Sequence, residues 1–270
     1  LTTKANYLAD VAGYDVYIVL TDGKGKEPYY PLSPKVKIIQ LDINFEELWH
    51  LSFLKKILVY LQKQRIYKKR LTSTLLALKP DITVSLLRRE INFLTSIKDG
   101  SKKVGEIHVN KDNYRNFEAN DTNFIKNIFA KWWIKNLEYK LRKLNRFIVL
   151  THEDKEKWTG IKNVEVIPNP LCSIPSQHSL LQDKRVIAVG RYAYQKGFDL
   201  LLNAWKRVVD KHSDWNLTIY GSGERTPYIN LAKDLGIESN CCLKASVSNI
   251  ISKYQESSML VFSSRFEGFG

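Results

Sequence analysis

Arg191 and Lys196 are separated by four residues at a point where an apolar run gives way to a helical pattern, with Gly190 just before the arginine and Gly197 just after the lysine. The run Val186-Ile-Ala-Val-Gly190 reads as a buried parallel strand that stops at glycine, and Phe198 to Trp205 places apolar residues at helical spacing. Two cations and a helix start at such a junction suit a diphosphate, because both favour negative charge. The same pair also suits solvated loop charges. A second loop, Gly221-Ser222-Gly223, lacks the third glycine of a dinucleotide fingerprint, since Thr226 holds that place, so a nicotinamide fold is not supported. The run Ser264 to Gly270 then sets Glu267 beside Gly268, Phe269 and Gly270. This tail is expected to open a helix, whose first amides suit phosphate or sugar hydroxyls, glycine permitting close approach.

The elements that must hold these residues alternate. Leu1 to Val11 reads as a helix and Tyr14 to Leu20 as a strand, with a further strand over Val36 to Leu41. Phe53 to Leu78 is one long helix, followed by strands over Pro80 to Leu86, Lys103 to His108 and Arg146 to Thr151. Past Gly190, helices and strands alternate again to Phe262. This is the pattern of an α/β fold with doubly wound sheets, whose ligands sit beyond the carboxyl ends of strands. His108 falls at such an end, although a lone histidine is as readily structural. Val164 to Pro170 has proline on both sides of Asn169, which blocks helix and suits a crossing between domains.

Composition narrows the partners. The 270 residues carry a formal charge of +14, and 44% are hydrophobic, enough for ordered cores in two modest domains. Residues 1 to 175 hold 30 Lys and Arg against 19 Asp and Glu, whereas residues 176 to 270 hold 12 against 9. An acidic partner therefore meets the first part. The long helix interleaves Lys55, Lys56, Lys63, Arg65, Lys68, Lys69 and Arg70 with apolar residues, and a second basic and aromatic stretch runs from Lys131 to Arg146. Such interleaving fits an anionic bilayer surface as well as a solvated face. No zinc-finger or RNA-recognition signature is present, so nucleic acid is not expected. Cys172, Cys241 and Cys242 have no metal-ligand spacing and form no disulfide framework, which points to a reducing, cytoplasmic setting. No run approaches the roughly 18 apolar residues that span a bilayer, and no signal peptide is expected.

Taken in order, Gly190-Arg191-x4-Lys196-Gly197-Phe-Asp-Leu-Leu, then Trp215-Asn-Leu-Thr-Ile-Tyr-Gly-Ser-Gly-Glu224, then Ser-Ser-Arg-Phe-Glu-Gly-Phe-Gly270, the motifs resemble the donor-binding domain of family 4 retaining glycosyltransferases, of the glycosyl transferases group 1 type. The likeness is dense over residues 184 to 270 and thinner before them. It implies a GT-B fold, two facing Rossmann-like doubly wound domains. Residues 1–170 then form an acceptor-side domain, 171–183 a linker, and 184–270 a nucleotide-sugar domain. The resemblance includes Ile-Pro-Asn-Pro at the junction ending at Pro170. The family's first strand and glycine-rich loop are not seen, and the second glutamate of its Glu-x7-Glu motif would fall beyond Gly270, so a fragment is expected.

By the same resemblance, a sugar passes from a nucleoside-diphosphate donor, UDP- or GDP-linked, to a glycan or lipid-linked acceptor hydroxyl with retention, in glycan or cell-envelope polysaccharide biosynthesis. Arg191 and Lys196 then hold the leaving diphosphate without a metal, as placed cations can. No further cofactor is expected. Glu267 and His108 contact the sugar; Gly190, Gly221, Gly223, Val247, Gly268, Phe269 and Gly270 complete the donor site. The family shows Glu-His-Asn where this chain has Glu106-Ile-His108-Val-Asn110, and Ala245 stands where the family has glycine near the base-framing loop at Val247. The chain has no Gly-x-Ser-x-Gly elbow of a hydrolase. The other reading left open is a nucleotide-sugar or glycan binding protein of this fold without turnover. Peripheral attachment to the inner face of the cell membrane is the matching location.

Overall fold

The computed structural model describes residues 1–23, 25–28, 30–111, 124–171, 175 and 177–269, with backbone alone at residue 53 and over 124–131. The chain divides into two compact units, Leu1–Cys172 and Ser173–Gly268.

The first unit opens with helix α1 (Thr2–Asp10) and strands β1 (Tyr17–Leu20) and β2 (Lys37–Gln40). These two strands pair in parallel as a sheet of their own. Helix α2 (Phe53–Leu78) follows, and Lys79 closes it in a left-handed conformation just before Pro80, which cannot continue a helix. Its buried stripe, Tyr67, Leu71 and Leu75, packs with Phe45, Leu48 and Phe93. Strands β3 (Ile82–Ser85), β4 (Lys102–Glu106), β5 (Arg146–Val149) and β6 (Val164–Val166), with helices α3 (Phe124–Leu141) and α4 (His152–Lys157), build a second parallel sheet in chain order. Phe147, Trp158 and Leu141 lie at its centre, with Phe147 and Trp158 edge to face at 5.0 Å between ring centroids.

Sequence reading takes Val164 to Pro170 as a crossing segment, but its first three residues form a strand. Val164–Val166 pairs with β5, Val164 opposite Phe147, and the Ile167 amide donates to the Val149 carbonyl. The reason is local. The prolines begin only at Pro168, so the amides before it remain free to join the ladder.

The second unit contains β7 (Arg185–Val189), α5 (Phe198–Val209), β8 (Asn216–Gly221), α6 (Thr226–Asp234), β9 (Cys241–Ala245), α7 (Ile250–Gln255) and β10 (Met259–Leu260). All four strands are parallel, in the order β10-β7-β8-β9. Helix α5 buries Phe198, Leu201, Leu202 and Trp205, one stripe at helical spacing, against Val186, Ala188, Leu217 and Ile219. Each such side chain contributes about 1.5–3 kcal/mol of burial, so this stripe fixes where the chain before Phe198 must run. Residues 177–183 of the expected linker lie along this unit: Gln177 accepts from Gln255, and Ser179 donates to the Ser257 carbonyl.

Candidate functional site

The strand order fixes where a ligand fits in the second unit. From β7 the chain moves through β8 to β9 on one side, then returns to place β10 on the other side of β7. The direction of winding reverses between β7 and β10, and in an open parallel sheet the crevice outside the carboxyl ends at such a reversal is the binding site. Gly190 to Lys196 follow β7, and residues 261 to 269 follow β10. Both segments singled out by sequence thus flank one switch point.

Contacts knit these segments together. Lys196 Nζ lies 2.6 Å from Glu267 Oε1, both side chains being about three-quarters shielded from water. Gln195 Nε2 donates to the Phe266 carbonyl at 3.1 Å and to Glu267 Oε2 at 3.5 Å. The Arg265 amide donates to the Gln195 carbonyl, and Ser263 Oγ to the Lys196 carbonyl. Arg265 also grips Asp199 with both terminal nitrogens, at 2.8 and 2.6 Å, and stacks 4.0 Å over the Tyr194 ring. That guanidinium holds the Asp199 carboxyl below its ordinary range, and the carboxylate in turn pushes Arg265 higher still. Asp199 sits in the first turn of α5, where a carboxylate also complements the helix dipole.

Two glycines make these approaches possible. Gly197 adopts φ +62°, and a Cβ there would stand 2.1 Å from the Ser263 carbonyl oxygen. A Cβ on Gly221 would stand 1.8 Å from the Gly190 carbonyl oxygen. Any side chain at either place would push the post-β7 segment away from its neighbour. Tyr192 locks the same segment from below: its hydroxyl lies 2.9 Å from both the Ile219 and Lys244 carbonyls, and its amide donates to the Ser222 carbonyl. Burial pushes the Tyr192 hydroxyl up to about 12.

Arg191 differs from its neighbours. It is exposed at the strand end and forms no hydrogen bond or ion pair with a described residue. Lys196 is already engaged with a carboxylate, so Arg191 is the readily available cation of the pair. Gly190, Gly221 and Gly223 join the same cluster, Gly223 beside the Tyr192 backbone. Gly268 is half-buried and Phe269 is exposed. Val247 is exposed and follows β9, two strands from β7, on the same carboxyl edge of the sheet. Gly270 lies outside the described residues, and residues 261–269 contain no helix.

In the first unit, His108 lies just past the carboxyl end of β4, as expected of a strand-end residue, and is exposed. Its Nε2 donates to Glu106 Oε2 at 3.0 Å, and Lys4 Nζ holds the same carboxylate at 3.1 Å. Burial opposes ionisation of Glu106, but the bonds from His108 and Lys4 outweigh it and hold the carboxyl below its ordinary value. Among the described residues no three His, Cys, Asp or Glu side chains gather as a metal site.

Sequence reasoning assigns no role to Gln195, Asp199, Ser263 or Arg265. Asp199 and Arg265 stand inside the quoted motifs, but their pairing spans 66 residues and no periodicity reports it.

Residues 174–270 match the family model described as Glycosyl transferases group 1. An uncharacterized glycosyltransferase of Haemophilus influenzae is 33% identical over 129 residues, 46% of this chain and 36% of that protein. The amylovoran biosynthesis glycosyltransferase AmsD of Erwinia amylovora is 32% identical over 135 residues, 46% of this chain and 38% of its own length. The chain therefore aligns with little more than a third of these curated relatives. Among solved structures, TarM of S. aureus in complex with fondaparinux, alpha-GlcNAc-glycerol and UDP is 25% identical, with a TM-score of 0.53, covering 66% of this chain and 35% of that one. WaaG, a glycosyltransferase involved in lipopolysaccharide biosynthesis, has a TM-score of 0.65 at 14% identity, covering 98% of this chain and 70% of its own.

Proposed function

We propose, from the match of residues 174–270 to the glycosyl transferases group 1 family model and from the GT-B fold, that this chain serves a glycosyltransferase that moves a sugar from a nucleoside diphosphate to a glycan or lipid-linked acceptor. The observation that carries the reading is the switch point between β7 and β10, where Arg191 and Lys196 arrive from one side and Glu267 from the other. In the reaction the bond from the anomeric carbon to the diphosphate oxygen breaks and a bond to the acceptor oxygen forms. Negative charge gathers on the departing phosphates and positive charge on the sugar ring.

Arg191 meets the first of these charges and Lys196 joins it, so that two cations carry the leaving group in a metal-independent transfer. Lys196 is held by Glu267, and an arriving diphosphate competes for it while the freed carboxylate turns to the sugar hydroxyls. For His108 we assign a sugar-orienting role from the family resemblance, with Glu106 fixing its ring. Retention at the anomeric carbon rests on the same resemblance. A UDP- or GDP-linked donor is favoured, UDP being the nucleotide bound by the TarM relative. A cell-envelope glycan acceptor is our reading, supported by the amylovoran biosynthesis named for the Erwinia amylovora relative, and the basic first unit fits work in the cytoplasm at the inner membrane face.

Calorimetric titration of UDP, GDP and ADP tests the reading. Binding of one nucleotide, weakened at least about tenfold by Arg191→Ala without a change in melting temperature, is the expected result, since a charge-assisted phosphate contact is worth roughly 1.5–3 kcal/mol. A folded protein that takes up none of the three overturns it.

A further inference from the structure

Helix α3, helix α2 and the turn after β3 line a cavity of about 130 Å³ in the first unit, partly open to solvent. None of its residues has a part in the donor site. Trp133, Asn136, Leu137 and Lys140 recur at the spacing of one face of α3, and two of the four are polar. The apolar side is rigid: Leu137 and Ile91 are buried in the core beneath the second sheet, and Trp133 packs against that core. Tyr60 from α2 and Asn92 from the turn complete the polar side. That turn is pinned, because Ser85 Oγ and the Arg88 amide both donate to Glu90 Oε1, at 2.7 and 3.1 Å.

Hydrogen-bond accounting shows which groups are left for a ligand. Asn92 is engaged at both ends: its Nδ2 donates to the Arg89 carbonyl at 3.2 Å, and its Oδ1 accepts from Lys140 Nζ at 2.8 Å. The Tyr60 hydroxyl accepts from Gln64 Nε2 at 2.8 Å, so its own proton remains to be given. Asn136 is half-buried and hydrogen-bonds to none of the described residues. Its amide offers two donors and an acceptor, and shielding it without a partner costs stability that a leucine there would not cost. Size and charge then select the ligand. An apolar cavity of about 150 Å³ holds benzene, so this one admits a single six-membered ring and excludes a purine or a lipid chain. Among the described lining residues Lys140 alone is charged, too few cations for a phosphate cradle. A ring with apolar C–H faces and hydroxyls around its edge meets an indole on one side and an amide on the other.

We propose that this cavity holds one pyranose unit of a saccharide, with its C–H face on Trp133 and adjacent hydroxyls on the Asn136 amide and the Tyr60 hydroxyl. That the unit belongs to the acceptor glycan rests on the transfer reaction proposed above; its binding does not. The test is saturation-transfer NMR on the full chain without nucleotide, using methyl glucoside, methyl galactoside and N-acetylglucosamine, with cyclohexanol as the apolar ring of the same size. The expected result is that at least one sugar binds, saturated most strongly at its ring C–H protons, and that cyclohexanol does not. Asn136→Leu should weaken that sugar at least about tenfold, the loss of roughly one paired hydrogen bond, while its melting temperature stays level or rises and its nucleotide titration is unchanged. Asn136→Ala, which leaves the cavity open, should weaken it similarly. No binding of any of the three sugars to the folded wild type overturns the proposal, as does equal binding by both Asn136 variants, or uptake of cyclohexanol as strong as that of the sugars. A wild type that binds the sugar but no nucleotide upholds the cavity and overturns only the transferase reading.

Discussion

Lys196 Nζ and Glu267 Oε1 stand 2.6 Å apart, joining residues 71 positions distant in sequence across the point where the second sheet reverses its winding. Each is the other's counter-ion, so in the proposed reaction a diphosphate competes with the glutamate for the lysine. Replacing Glu267 by Gln removes that competition. Glu267→Gln should bind free nucleoside diphosphate as tightly as the wild type or tighter, while sugar transfer falls roughly a hundredfold or more. Lys196→Ala should weaken the nucleotide about tenfold. Calorimetry beside a transfer assay checks both, and weaker nucleotide binding by Glu267→Gln would contradict the competition.

Arg265 acts through its neighbours, fixing the post-β10 segment on Asp199 and Tyr194 so that Glu267 reaches Lys196. If the pair works as one unit, Arg265→Ala and Asp199→Ala each reduce transfer, and the double variant is no worse than the poorer single. Arg265→Lys restores charge without the two-pronged grip and should rescue only in part. Losses that multiply in the double variant would mean separate roles. The comparison is made on kcat and KM measured for the wild type and all four variants.

Gly197→Ala tests the close approach itself. The left-handed backbone alone costs an alanine about 1–2 kcal/mol, and a methyl group 2.1 Å from the Ser263 carbonyl oxygen cannot be accommodated without moving that segment. We expect a lower melting temperature together with loss of nucleotide binding. Gly13→Ala is the control: it shares a positive φ but has no atom within 4 Å of the added carbon. It should show the backbone cost and keep the nucleotide.

The pH dependence of stability is set in part by Glu106. Its folded pKa lies below the ordinary carboxylate value of about 4.3. A depressed carboxylate contributes stability that is present above the unfolded pKa and is lost as pH falls through the folded one. Melting temperatures from neutral pH into acid should therefore fall more steeply for the wild type than for Glu106→Gln below about pH 4.3. Parallel curves would remove the Lys4, Glu106 and His108 cluster from the stability of the first unit.

The sequence alone was enough to show the α/β class, most strands and the long helix α2 with both its ends, and it singled out Arg191 and Lys196. These are local signals: apolar runs that stop at glycine or proline, and side chains at helical spacing. It did not show that Val164–Val166 joins the first sheet, because three residues before a proline carry too little pattern to separate a strand from a connection. Strand order was decided only in three dimensions, since a parallel strand's apolar run says nothing of its neighbours. That order turns the residues after β7 and β10 from two motifs into one crevice. Tertiary structure likewise chose which cation stays available. Arg191 and Lys196 are equivalent charges in the sequence, but the packing of α5 and the backbone at Gly197 carry Lys196 to Glu267 and leave Arg191 in water. Electrostatic partners of this kind depend on distances of a few ångströms between segments far apart in the chain, and only the folded protein sets those distances.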